Sequence, residues 1–223
     1  RDSGELRMSA KELKRITVPI SDEAIRDLKI GDSVLLSGTI VTGRDTVHKW
    51  FMDSFIAKAV PVSVEDAQVY EELKQLLQDG VIYHCGPVVS GLQDKNYRFV
   101  AAGPTTSIRE EAYQGAVMEH FHMKGVIGKG GMGPKTLAAC AKIPAVYFHA
   151  IGGAASLIAE SVKKVLGVYK LEFGVPEALW VIQVEDFPVV VTMDSHGNSL
   201  HDEIQKQSLE KLSNEEVRVR VIH

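Results

Sequence analysis

Two short stretches combine glycine, proline, hydroxyl and basic residues in a way that suits the binding of a small anion. They are residues 103–109, with the sequence GPTTSIR, and residues 128–134, with the sequence GKGGMGP. Each follows a short apolar run and precedes a helix-like run, so each is predicted to be a strand-to-helix turn. Such turns leave unpaired N–H groups and partial positive charge at the helix start. Together with Arg109 and Lys129, they predict two corners that hold the carboxylates of a small acid.

The stretch 128–134 has two alternative interpretations, a phosphate-binding loop and a purely structural turn. The phosphate-binding loop of nucleotide hydrolases needs a lysine directly after its last glycine, followed by serine or threonine. Here Pro134 occupies the lysine position and removes a backbone donor, while Lys135 and Thr136 come one residue late. Nucleotide binding is therefore disfavoured, whereas glycines that only permit tight packing remain an open alternative.

Length and composition indicate one globular domain. The 223 residues are 45% hydrophobic and 24% charged, and the formal net charge of −4 argues against a general nucleic-acid binder. No apolar run approaches the roughly 20 residues that cross a bilayer, and no signal peptide is expected because the first residues are polar and charged. Cys85 and Cys140 adjoin apolar sequence, which favours buried free thiols in a reducing cytoplasm over a disulfide. Two cysteines cannot make a Cys₄ zinc site or supply every thiolate of an iron–sulfur cluster.

Strand-like and helix-like segments alternate, which predicts an α/β fold. A β-branched strand over 33–42 leads through Gly43 into a helix over 45–59 with an aromatic inner face. Arg44 and Lys49 lie at the positive start of that helix, which a nearby functional anion or an ordinary solvated face would explain. A flexible tail is expected at 1–14 and one domain at 15–223. Further strands are predicted at 15–20, 81–83, 97–102, 125–127, 145–149, 178–184 and 188–193, and further helices at 22–28, 64–79, 108–120, 134–141 and 152–165.

Six motifs follow one another in a fixed order over residues 15–205. They are SGTIVTGRD with HK at 37–49, Tyr83 with Gly86-Pro87, GPTTS with Arg109, GKGGM at 128–132, GGAA at 152–155, and ALWV with EDFP at 178–188. This series resembles the β subunit of class I fumarate hydratase and L-tartrate dehydratase. Six ordered motifs are far more specific than any single glycine loop.

The resemblance implies a swivelling β/β/α domain, with a mixed sheet and flanking helices, that is one half of an enzyme. In that family the domain is a separate subunit or the C-terminal half of a longer chain. The implied activity is that of a hydro-lyase that reversibly hydrates fumarate to malate. The implied partner is an α subunit that holds a [4Fe–4S] cluster through three cysteines, with its iron acting as a Lewis acid. A heterotetramer, or a homodimer of this chain alone, is expected, with no nucleic acid or membrane as partner.

The resemblance also assigns the binding residues of the site. Arg44, Arg109 and Lys129 match the family's contacts to the substrate carboxylates, and Gly130 adjoins them. Arginine suits a bidentate grip on a carboxylate, and lysine acts as a point charge.

Thr105 matches the residue proposed as the catalytic base of that family. A neutral threonine is a poor base, so it would need activation by Asp45 or by the helix end. The alternative is that its hydroxyl only hydrogen-bonds a carboxylate or caps a turn. His48 either orients Asp45, touches substrate or is a buried structural residue.

Other polar groups carry weaker signals. His120 and His122 are two residues apart and would face away from each other on a helix, so a metal pair is disfavoured. A hydrolase triad from the adjacent residues 194–196 is disfavoured because triads are assembled from separate elements. Two functions remain as alternatives, an L-tartrate dehydratase β subunit and a non-catalytic anion-binding subunit.

Overall fold

The computed structural model describes residues 13–151 and 155–204, together with residues 206 and 208. Residues 217–222, for which the sequence predicts a short strand-like end, lie outside the described residues, as do most of the predicted tail and the glycines at 152–153. The strands are β1 (Lys14–Val18), β2 (Ser33–Thr42), β3 (Val81–Tyr83), β4 (Val88–Ser90), β5 (Arg98–Ala101), β6 (Gly125–Gly128), β7 (Val146–Ala150), β8 (Val162–Tyr169) and β9 (Leu179–Met193). The helices are α1 (Asp22–Asp27), α2 (Asp45–Phe51), α3 (Val64–Leu77), α4 (Gln114–Phe121), α5 (Pro134–Lys142) and α6 (Ala155–Ser161).

In the described part of the chain, seven strands form one mixed sheet in the order β1-β2-β3-β6-β7-β9-β8. The first five strands in this order are parallel to one another, whereas β9 runs antiparallel to β7 and β8. Strand β9 also pairs with β2 along its other edge, so the sheet closes on itself. The prediction of an α/β domain with a mixed sheet and flanking helices is confirmed.

Alternation along the short central strands divides the buried side chains between two cores. In β3, Val81 and Tyr83 belong to one core, whereas Ile82 belongs to the other. The first core is formed mainly by strand residues such as Ile127 and Trp180. The second core lies between the sheet and helices α2 to α5, and the aromatic face predicted for α2 packs there. Helices α2 to α5 therefore pack on one face of the sheet, whereas Ile25 of α1 and Ile158 of α6 belong to the first core on its other face.

Two predicted helix boundaries are confirmed by their caps. Ser21 accepts a hydrogen bond from the Ala24 N–H at the start of α1, and Pro134 occupies the first turn of α5. Three other boundaries were wrong. The helix predicted over 45–59 turns into a π-helix at Met52–Ile56, and the helix predicted to end at 165 stops at Ser161. A strand follows there at once because its β-branched residues pair with β9.

The third wrong boundary concerns the long strand β9, which was predicted as two strands separated by a polar turn. The strand is continuous from Leu179 to Met193. Its polar segment is kept in the sheet by β2, because Phe187 and Pro188 pair with Leu36 and Leu35. The deviation is confined to a positive φ of 51° at Asp186, beside a register shift in β2. Within the described ranges, the helices are all too short or too polar to cross a membrane.

Candidate functional site

The turn after β2 places Arg44 and Asp45 at the start of α2. Arg44 Nη1 lies 2.8 Å from Glu177 Oε1, and the other oxygen of Glu177 accepts a hydrogen bond of 3.4 Å from the Thr46 N–H. Glu177 therefore neutralises the arginine and supplies a negative charge to the positive end of the helix. This carboxylate is the nearby anion that would make a cation at this position acceptable.

Asp45 links this turn to the segment that carries Arg109. Arg109 Nη2 lies 2.8 Å from Asp45 Oδ2, and 63% of the arginine side chain is exposed. Arg109 belongs to a 3₁₀ turn at Ser107–Glu110, and α4 begins only at Gln114. The continuous helix predicted over 108–120 was therefore wrong. Its start is interrupted because Ser107 and Glu110 turn inward and are buried, instead of capping a helix.

The two glycine-containing corners hold each other through backbone hydrogen bonds. The Lys129 N–H donates to the Thr105 carbonyl at 3.3 Å, and the Ser107 N–H donates to the Lys129 carbonyl at 3.0 Å. Lys129 and Gly130 are exposed, and Gly130 has a φ of 78° that favours glycine. Among the described residues, no ion pair is recorded for Lys129. The structure thus brings all six predicted site residues to neighbouring positions: Arg44, Asp45, Thr105, Arg109, Lys129 and Gly130.

The backbone donors at the start of α5 are not free to bind a substrate anion. The Glu111 carboxylate accepts hydrogen bonds from the N–H groups of Gly133 at 2.8 Å, Lys135 at 2.8 Å and Thr136 at 3.3 Å. The expectation of unpaired N–H groups at this corner was therefore wrong. The chain caps this helix with its own carboxylate, so the positive side chains, not the helix start, are available to a ligand.

Three side-chain oxygens of this region are buried and have no hydrogen-bond partner. They are Thr105 Oγ1, Asp45 Oδ1 and Glu110 Oε2. Buried polar atoms without a partner are uncommon in folded proteins, and each one asks for an explanation. Two of them belong to predicted site residues, and the third follows Arg109 directly. A ligand atom or a shared proton could satisfy them.

Glu110 was missed as a site residue by the sequence analysis, because it lies in the first turn of the helix predicted over 108–120. Its carboxyl is only 2% exposed. Burial raises the pKa of Glu110 to about 8, and the neighbouring Asp45 carboxylate adds to this shift. An acidic residue after an arginine is common on protein surfaces, so nothing in the local sequence pointed to this role.

A hydrogen-bonded network of buried polar side chains adjoins the candidate site. His48 Nδ1 lies 2.9 Å from the Arg44 carbonyl, and its Nε2 lies 2.8 Å from the Gln114 amide. The same amide lies 2.7 Å from His84 Nε2, and His84 Nδ1 lies 2.8 Å from Ser107 Oγ. Tyr147 donates its hydroxyl proton to Ser107 Oγ at 2.9 Å. His48 is thus a fully buried structural residue that fixes the Arg44 backbone.

The protonation states of His48 and His84 follow from their burial. Burial lowers the pKa of His48. Burial and, as a smaller contribution, the neighbouring His48 lower the pKa of His84 to about 3, so both rings are neutral. The Arg44 carbonyl can only accept, so His48 carries its proton on Nδ1 and its Nε2 is an acceptor. The Gln114 amide must then present its NH₂ group to both rings. This orientation also gives a partner to Gln114 Nε2, which has none when the oxygen faces the rings.

Gly128 is required because the side chains of Ser107 and Tyr147, which belong to this buried network, lie very close to β6. A Cβ atom at Gly128 would lie 1.8 Å from Ser107 Oγ and 2.9 Å from the Tyr147 hydroxyl. We expect Gly128→Ala to lower the free energy of unfolding by about 3 kcal/mol, because Ser107 would have to leave its hydrogen bonds. Gly167→Ala is the control, since no heavy atom lies within 4 Å of a Cβ at that position in β8. Equal denaturation midpoints for the two variants would contradict the prediction.

The thiol groups of this chain do not fit an iron–sulfur cluster. The sequence has two cysteines, and burial raises the pKa of each, Cys85 and Cys140, to about 12. They lie in different hydrophobic cores. In the ranges the structure describes, no group of three or more histidine, cysteine, aspartate or glutamate side chains converges to hold a metal ion.

The remaining polar candidates are explained by local structure. Asp194 accepts hydrogen bonds from the N–H groups of His196 at 3.0 Å and Asn198 at 3.1 Å. His196 Nε2 lies 2.9 Å from the Arg26 carbonyl, so it does not face a serine nucleophile. His120 contacts the Tyr70 hydroxyl, whereas His122 lies 3.5 Å from Asp79. These groups form a turn and surface contacts, and they make no second reactive centre.

Comparison with known proteins places this arrangement in a family. Residues 3–204 match the family model described as Fumarase C-terminus. The chain is 50% identical over 205 residues to a protein of Geobacillus stearothermophilus named "Putative fumarate hydratase class I", covering 92% of this chain and 37% of that protein. It is 36% identical over 199 residues to the L(+)-tartrate dehydratase subunit beta of Escherichia coli K12, covering 89% of this chain and 91% of that subunit.

A third relative extends the comparison to an archaeon. The chain is 37% identical over 196 residues to a protein of Methanocaldococcus jannaschii named "Putative L(+)-tartrate dehydratase subunit beta", covering 87% of this chain and 94% of that protein. The chain thus spans about a third of one relative and nearly the full length of two others. The matched segments contain all six of the adjoining residues described above. Because the family model matches most of its length, this chain belongs to the Fumarase C-terminus family, that of class I fumarate hydratases and tartrate dehydratase β subunits.

Proposed function

We propose that this chain is the β-type part of a hydro-lyase that reversibly hydrates fumarate to malate. The observation that carries the proposal is that three cations stand on adjoining turns: Arg44 precedes Asp45, which pairs with Arg109, and the Lys129 backbone is hydrogen-bonded to that of Thr105. A four-carbon diacid bears two negative charges, which three cations can balance in a partly dry site. The identity of 50% to the Geobacillus protein supports fumarate as the substrate.

The two arginines are held in place before a substrate arrives. Arg44 is paired with Glu177, and Arg109 is paired with Asp45, in each case at 2.8 Å. A guanidinium group has five N–H donors, so it can keep its carboxylate partner and still bind two oxygens of a substrate. Pre-organised donors lose less conformational entropy on binding than free side chains do. Lys129, on the neighbouring corner, would add a third positive charge without a fixed direction.

Thr105 is the proposed proton-transfer group of this chain. Its Oγ1 is buried and has no partner in the described structure, so the hydroxyl is available to a ligand atom. In the dehydration direction it would take up the proton from the carbon next to a clamped carboxylate. A neutral threonine is too weak a base for this step, so its hydroxyl would pass its own proton to an acceptor as it takes up the proton from carbon, and the Asp45 carboxylate is the candidate acceptor in this chain.

The cluster on which this family generally depends is proposed to lie on a partner. The thiols of this chain do not fit such a group, and the activity is therefore expected only from a complete enzyme. The partner would be a separate α subunit, in a heterotetramer, or the remaining part of a longer chain. Relatives of both lengths support these two arrangements. Two buried free thiols support a reducing cytoplasm as the proposed location.

The test is the activity of the complete enzyme, in which this chain is assembled with its cluster-bearing part. We expect kcat/KM for malate or fumarate to exceed that for L-tartrate by at least about tenfold, the effect of one misplaced hydroxyl group or more. The chain alone should not hydrate fumarate. A preference for L-tartrate would favour the alternative of a tartrate dehydratase β subunit, to which the 36% identity to the Escherichia coli subunit also points. Turnover by the chain alone would contradict the proposal that the active site is shared between this chain and a cluster-bearing partner.

A further inference from the structure

The buried carboxyl group of Glu110 has no role in the mechanism proposed above, although it lies beside Asp45. Glu110 is 2% exposed and directly follows Arg109, whose guanidinium lies 2.8 Å from Asp45 Oδ2, and the Asp45 carboxylate contributes to the raised pKa of Glu110. Glu110 Oε2 and Asp45 Oδ1 are both buried without a partner when both groups are ionised, because carboxylate oxygens can only accept. One proton placed between them would satisfy both oxygens at once.

The charges around Glu110 are too few to stabilise two anions. The groups that face it are Asp45 at the start of α2, Arg109 in its own 3₁₀ turn and Tyr147 in β7. Arg109 supplies one positive charge and is paired with Asp45 Oδ2 at 2.8 Å. Burial raises the pKa of Tyr147 to about 12, so this phenol remains neutral. One arginine can balance one carboxylate, and the second carboxyl is more stable with its proton.

We propose that Glu110 keeps its proton at neutral pH and donates it to Asp45, which holds Asp45 charged and oriented toward Arg109. Glu110 is thus a positioning residue, and this assignment rests on the proposed function because its purpose is to set the Arg109 guanidinium for a substrate carboxylate. When the shared proton is lost, two negative charges adjoin the place where a dianion would bind. Substrate affinity should then fall as pH rises through the pKa of Glu110, near 8.

The first experiment measures kcat and KM of the complete enzyme between pH 6 and 10 for the wild type and two variants. Wild-type kcat/KM should fall about tenfold per pH unit on the alkaline side, mainly through KM. Glu110→Gln keeps a neutral donor to Asp45, so this alkaline fall should disappear. Glu110→Ala has no donor and should lower kcat/KM about tenfold at pH 7, of which the glutamine variant recovers most. An alkaline fall in Glu110→Gln identical to that of the wild type would overturn the proposal.

The control is Glu119→Gln, which changes the same type of residue in α4, where Glu119 forms an exposed ion pair with Lys142. It should leave the alkaline fall unchanged. If the control abolishes that fall as well, the effect is not specific to Glu110 and the proposal is wrong.

The second experiment detects the proton of Glu110 in the full chain by infrared spectroscopy, and it needs no assay of turnover. The infrared carbonyl band of an un-ionised carboxylic acid should be present at pH 7, disappear with a midpoint near 8, and be absent from Glu110→Gln. A spectrum without this band at pH 7 would refute the assignment even if the enzyme is active. If the band is present and the complete enzyme acts on none of the three diacids, the proposed function fails while the shared proton stands.

Discussion

Thr105→Val is expected to remove turnover and, at the same time, to make the chain more stable. Thr105 Oγ1 is buried and lacks a hydrogen-bond partner, and a buried hydroxyl in that state costs about 1–3 kcal/mol. Valine has nearly the same shape without the hydroxyl, so the free energy of unfolding should rise by about 1 kcal/mol. If the hydroxyl transfers the proton, kcat should fall by on the order of 10²–10⁴ in the complete enzyme. Opposite signs for stability and activity are the mark of a functional group kept at a cost to the fold.

Thr192→Val is the matched control for this substitution. Thr192 Oγ1 is also buried without a partner, but it lies in β9, which carries none of the six predicted site residues. Thr192→Val should show a similar gain in stability with kcat within about twofold of wild type, as for a substitution remote from the site. Thr105→Ser keeps the hydroxyl and should retain a large part of the activity. If Thr105→Val leaves turnover intact while Arg109→Ala abolishes binding, this chain only binds the anion, and the non-catalytic alternative is correct.

The grouping of the proposed site residues on neighbouring turns could be predicted from short motifs. Arg44 and Asp45 follow β2 and Lys129 follows β6, both strands of the seven-stranded sheet, so the order of elements indicates that these residues lie near one end of that sheet. Thr105 follows β5, which forms a two-stranded sheet with β4, and its carbonyl is joined to Lys129 by a backbone hydrogen bond. Short apolar and β-branched runs likewise indicated which elements are strands. These features depend on residues within a few positions of one another, and a sequence read in order contains that information.

The supporting residues could not be predicted because their partners are distant in the chain. Gln114 contacts His48, 66 positions away, and Glu111 caps a helix whose first bonded residue is 22 positions away. Glu177 reaches Thr46 across 131 positions. Locally, each of these residues has the pattern of an ordinary helix or loop position. The same reason explains the error at β9, where pairing with β2 kept a polar segment and a proline in one strand.

Arg109→Ala is expected to cause a large loss of activity with almost no change in stability. The guanidinium is 63% exposed and its ion pair with Asp45 lies at the surface, so the fold should lose at most about 1 kcal/mol. A substrate carboxylate clamped by this group in a closed site would lose a charge-assisted pair of hydrogen bonds. We therefore expect kcat/KM of the complete enzyme to fall by on the order of 10²–10³. Arg109→Lys keeps the charge without the planar fork and should recover part of this loss.

Arg15→Ala provides the matched control for the loss of an exposed arginine. Arg15 is 68% exposed and lies 2.5 Å from Asp186, so it resembles Arg109 in exposure and in its aspartate partner. It belongs to β1, on a different strand from the site residues, and its loss should leave kcat/KM within about twofold of wild type. Similar small effects of both alanine variants would mean that Arg109 is an ordinary surface residue, and the clamp would then rest on Arg44 and Lys129 alone. A loss confined to Arg109→Ala, with unchanged unfolding midpoints in both variants, would assign the guanidinium to the substrate and not to the fold.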